Sequence, residues 1–96
     1  MRVTNINGTS QNTCNCGSWL EHWKKFSGQA IPSHCPVMSC LQKPEVGAHV
    51  QKDNSTDRSW YIIPLCKTHN AETGKSLDVT DSIAFVSANV SQTCGK

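Results

Sequence analysis

The sequence predicts a small α+β fold held together by a bound metal, and three observations lead there. The chain has 96 residues, of which 36% are hydrophobic. That is room for one domain whose apolar core alone is marginal, because a chain this short buries roughly 60–65% of the surface it exposes when unfolded. It carries six cysteines and four histidines, an unusual density for so short a chain. Four of these fall into two pairs, Cys35-x4-Cys40 and Cys66-x2-His69, spacings with which two short segments can close a zinc tetrahedron.

Composition narrows the alternatives. The net charge is +2, too small a bias to point to nucleic acid by itself and no bar to it. No apolar run approaches the roughly 20 residues that span a bilayer, so no membrane role is expected. Six cysteines also suit a secreted disulfide scaffold, and sequons at Asn7-Gly8-Thr9, Asn54-Ser55-Thr56 and Asn89-Val90-Ser91 lean the same way. In a chain so rich in Ser, Thr and Asn, sequons arise by chance. Met1 is followed by Arg-Val-Thr-Asn-Ile-Asn-Gly, without the apolar stretch of a signal peptide. A metal site in a cytoplasmic protein is therefore the expectation.

Taken in order, residues 1–13 are polar and aperiodic and read as a flexible tail, which leaves 14–96 as a single zinc-binding domain. A helix is predicted over about 19–27. Ser18 and Glu21 have the spacing of a capping box, and Trp19, Leu20, Trp23 and Phe26 share one helical face. Lys24 and Lys25 suit the helix C-terminus, and Gly28 ends it. Residues 29–45, with Pro32, Pro36 and Pro44, read as loop, with Cys35 to Cys40 as a zinc knuckle inside it. Val46–Val50 and Trp60–Ile63 read as the strands of a hairpin, Trp60–Ile63 being aromatic and β-branched throughout. Pro64 is expected to close the second strand, and Cys66 to open a short helix ending near Gly74. Leu77 and Val79, and the run Ile83–Val86, suggest short further strands. Knuckle, hairpin and ligand-bearing helix, in that order, make a treble clef with an added N-terminal helix and one structural Zn²⁺ per chain. Metal binding in such a site can contribute roughly 10–16 kcal/mol to folding.

At Gly47-Ala48-His49-Val50 and Ile63-Pro64-Leu65-Cys66-Lys67-Thr68-His69-Asn70 the chain resembles the HNH endonuclease superfamily, over about residues 35–75. The resemblance implies that Cys35, Cys40, Cys66 and His69 hold a structural zinc, His69 standing where the family more often has Cys. It places His49 at the catalytic general base and Asn70 at a ligand of a second divalent ion such as Mg²⁺, with DNA or RNA as substrate. Two positions depart from the family. The Asn that orients the base is replaced by Tyr61, and the residue before the base, often acidic, is Ala48. Hydrolysis of a phosphodiester needs an ion on the phosphate and a base on water, and with Ala48 and Asn70 the sequence supplies at most one obvious, neutral ligand for that ion. The expected function is thus an HNH-like zinc module with weak or silent catalysis, binding nucleic acid or protein; the alternative is a metal-dependent endonuclease using His49. Cys14, Cys16 and Cys94, with His22 or His34, are candidates for a second metal site, a disulfide or free thiols.

Overall fold

Strand-forming residues gather around Val3, Val46–Val50, Tyr61–Leu65 and Leu77–Val79, and each group enters one sheet. A computed structural model of the protein describes residues 1–6, 18–53, 56–57, 59–72 and 74–88. Its elements are β1 (Arg2–Asn5), α1 (Trp19–Ser27), β2 (Val46–Lys52), β3 (Tyr61–Leu65), α2 (Lys67–Asn70), β4 (Ser76–Asp78) and β5 (Val86–Ser87). The five strands form one antiparallel sheet in the order β4-β1-β2-β3-β5. The α+β class and the central hairpin therefore stand as the sequence predicts. Among the described residues no helix is long and apolar enough to cross a membrane.

The flexible tail is corrected at its start. Arg2–Asn5 lies between β2 and β4, Val3 is fully buried and Asn5 is 1% exposed. The strand escapes a periodicity search because Asn5, not an apolar residue, takes its second inward position. Residues 7–13 lie outside the described residues.

Strand register assigns side chains to faces, since successive residues alternate and cross-strand partners share a side. His49 pairs with Ile62 and Gly47 with Pro64, so these four share the face on which α1 packs. Val50 pairs with Asn5, Lys52 with Val3, and Ala48 with Ile63; these form the other face, where the Asn5 side chain reaches α2. Val3, Val50, Ile62, Ile63 and Leu65 are all fully buried, so the middle of the sheet is covered on both sides.

The capping box forms at its Ser18 half: Ser18 Oγ accepts from the Glu21 amide at 3.1 Å, and Gly28 ends α1 in the left-handed region at φ 71°. The buried stripe is rotated from the predicted one. His22 and Trp23 are fully buried, whereas Phe26 is 40% exposed. The two buried rings are polar-tipped, and they dock on β5 and on the segment entering it: His22 Nε2 lies 2.9 Å from the Ser87 carbonyl, and Trp23 Nε1 donates to the Ala84 carbonyl at 2.9 Å.

Several boundaries differ from the sequence reading, β2 running on to Lys52 and β5 keeping only Val86 of the run Ile83–Val86. Trp60 lies outside β3 and is 44% exposed. Pro64 sits inside β3 and does not close it, because β5 pairs only with Tyr61 and Ile62, so among the described residues no strand pairs with Pro64 on that edge, where a missing N–H costs little. The helix α2 is a single turn ending at Asn70, short of Gly74.

Candidate metal centre

Two local devices bring four ligands together. In the knuckle, the Cys40 amide donates to the Val37 carbonyl at 3.0 Å, closing a turn in which Ser39 has φ 66°, the backbone of a type II turn at its third residue. The Cys35 amide donates to the Gln42 carbonyl at 2.7 Å, so the loop folds back on itself. A bridge from Val37 to Val79, with Met38 N donating to Asp78 O at 2.8 Å and Thr80 N to Pro36 O at 2.9 Å, ties this loop to the end of β4. The second pair comes from α2: Cys66 is its N-cap and its thiol accepts from the His69 amide at 3.4 Å. Thr68 Oγ1 donates to Gln42 Oε1 at 3.3 Å, between helix and knuckle.

Cys35, Cys40, Cys66 and His69 present their ligand atoms within 4.8 Å of one another. His69 Nδ1 lies 3.2 Å from Cys66 Sγ and 3.7 Å from Cys35 Sγ, and Cys40 Sγ lies 4.0 Å from Cys66 Sγ. A tetrahedral zinc with three thiolates and one imidazole has edges of about 3.5–3.8 Å. The group is close enough to bind a metal ion and compatible with a structural zinc. All three thiols are free of disulfides. Cys35 and Cys66 are buried, and burial pushes the Cys35 thiol up to about 11. Without an ion this thiol stays protonated at neutral pH, and binding displaces the proton.

A further residue supports the centre from β1. Asn5 Nδ2 donates to the His69 carbonyl at 3.1 Å and to the Asn70 carbonyl at 2.8 Å. The sequence reading passes over it. The β-branched residues Val3, Thr4 and Ile6 around it were the available signal.

Among the described residues, no cleft is lined by both His49 and Asn70, the two residues expected to be catalytic. His49 is 7% exposed and lies beneath α1, its ring 4.6 Å from that of Trp19, edge to face. Burial, and next the charge of His22, push it down to about 4, so its imidazole is neutral at pH 7; access, not protonation, is what it lacks. Asn70 lines a cleft with Ser18, Leu20 and Glu45, and His49 is not on its wall. Tyr61 and Ala48 lie on the face opposite His49, and the Tyr61 hydroxyl donates to Asp57. His22 is buried with its Nε2 on the Ser87 carbonyl, and His34 is exposed. Cys14, Cys16 and Cys94 lie outside the described residues. No family model matches the chain, and no curated protein or solved structure does either.

Proposed function

We propose that the chain is a zinc-braced, HNH-like module with a treble-clef layout that binds nucleic acid or protein and does not cut phosphodiesters. The observation that carries this reading is the completeness of the donor set, Cys35, Cys40, Cys66 and His69. Three thiolates and an imidazole select zinc among common divalent ions. Four protein donors leave that zinc no open position for water or substrate, so it braces the fold. The order of knuckle, β2–β3 hairpin and ligand-bearing α2 supports the treble clef. The cover of Trp19 over His49 supports silence over hydrolysis.

Metal analysis of the purified protein should return one Zn²⁺ per chain, lost in Cys66→Ser and His69→Ala. Single- and double-stranded DNA and RNA incubated with Mg²⁺, Mn²⁺ or Ni²⁺ should stay intact to the level of His49→Ala. Cleavage by the wild type that disappears in His49→Ala while zinc is retained would overturn the reading in favour of an endonuclease with His49 as base and Asn70 beside the second ion.

A further inference from the structure

We propose that Asn5 is a positioning residue for the metal centre, holding the backbone of the His69 ligand through its side-chain amide. The inference rests on the reading that Cys35, Cys40, Cys66 and His69 bind a metal. The helix that carries His69 is four residues long, far below the length at which a helix holds itself, and the carbonyls of its last turn have few partners within it. Asn5 supplies partners for two of them, Asn70 O at 2.8 Å and His69 O at 3.1 Å, the latter accepting also from Glu72 N at 3.1 Å. Both neighbours are carbonyl oxygens, so only the NH₂ end of the amide can face them. The Asn5 backbone extends the same clamp: its carbonyl accepts from Gly74 N at 2.7 Å and its amide donates to Lys75 O at 3.2 Å. Asn5 is 1% exposed, so its amide serves these carbonyls away from bulk water. Three of its four contacts lie within five residues of His69, and α2 itself begins one residue after the ligand Cys66. Asn5 thus sets where the imidazole sits relative to the three thiols, as partners of ligating residues do in metal sites generally.

The test compares Zn²⁺ affinity by chelator competition, and the ligand-field bands of the Co²⁺-loaded protein, in wild type, Asn5→Asp, Asn5→Ala and Val86→Ala. Asn5→Asp keeps the shape but replaces donors with a carboxylate facing two carbonyl oxygens. Val86→Ala removes buried volume at the far edge of the sheet and controls for general loss of stability. Affinity should fall about 10- to 100-fold in both Asn5 variants, with Co²⁺ bands shifted, and Val86→Ala should keep wild-type bands. Wild-type affinity and bands in Asn5→Asp would overturn the inference alone; so would losses that merely follow stability and match Val86→Ala. A wild type that binds no metal overturns both this inference and the reading beneath it. If neither Asn5 variant folds, the wild type decides: the Asn5 side-chain amide protons should be protected from exchange with Zn²⁺ bound and exchange rapidly once it is chelated. Equal protection in both states would overturn the proposal.

Discussion

His49 shows how little a residue's identity says about its use. Placed on β2 facing α1, it is buried against Trp19 and near His22, and the pocket that makes it a poor candidate base also ties stability to pH. Its pKa in the folded chain is held at about 4, against about 6.5 when unfolded. Between those values the unfolded chain carries a proton that the folded one refuses, so stability rises with pH. The contribution is complete above about pH 6.5 and is lost as pH falls toward 4, roughly 3 kcal/mol in all. Urea unfolding of the wild type across that range should show the loss, and His49→Leu should flatten it. An unchanged slope in His49→Leu would mean that another group governs the acid limb.

At the scale of elements, α1 and β2 approach closely at Gly47. A Cβ at Gly47 would stand 2.4 Å from the Trp19 carbonyl carbon and 2.6 Å from the Leu20 amide nitrogen, and backbone cannot swing aside as a side-chain tip can. Gly47→Ala should therefore cost at or above the upper end of the roughly 1–3 kcal/mol typical of overpacking. Trp23→Ala, removing a fully buried ring and its bond to Ala84 O, should cost roughly 3–5 kcal/mol. Phe26→Ala, at an exposed position of the same helix, should change stability by much less. Chemical denaturation of the three variants checks the order, and a Phe26→Ala loss equal to that of Trp23→Ala would contradict the packing described. At the far end of the hairpin, Lys52 Nζ lies over the rings of Tyr61 and Phe85, at 4.8 and 5.4 Å from their centroids, and 3.8 Å from Asp57. Tyr61, at the position where the resemblance expects Asn, is thus engaged in closing the hairpin.

For the whole molecule, the cluster joins segments that are distant in sequence. The knuckle is stitched to the end of β4 and α2 is clamped to β1, neighbouring strands at one edge of the sheet, so an ion between them ties the loop and the helix to that edge. Metal that binds only the folded chain stabilises it by mass action, by about 4 kcal/mol when present at a thousand times its dissociation constant. Chelation should therefore lower the thermal midpoint strongly, and Cys66→Ser and His69→Ala should have low midpoints that added Zn²⁺ does not restore. Hydrogen exchange should show the knuckle and α2 loosening before the fully buried centre at Val50, Ile62 and Ile63. A midpoint insensitive to chelator would mean that the sheet and α1 hold the fold without the ion.

Much of this was legible in the sequence because it is local. The ligand pairs are three and five residues apart, distances governed by one helical turn and one tight turn, and Ser18 caps a helix from three residues away. Hairpin strands announce themselves by composition, and short range suffices for that too. The strand Arg2–Asn5 was not legible: its hydrogen bonds run to residues some 45 or more positions away, and its inward Asn5 is polar because α2 needs donors there. Nor was the fate of His49. A strand histidine faces solvent, a cleft or the core according to which helix covers its side of the sheet, and here the packing of α1, admitted by the missing Cβ of Gly47, made it core. Sequence spacing could assemble a metal site, since the atoms of a ligand pair are bound to move together. Burial is a property of everything that surrounds a residue, and it was settled only when the distant elements packed.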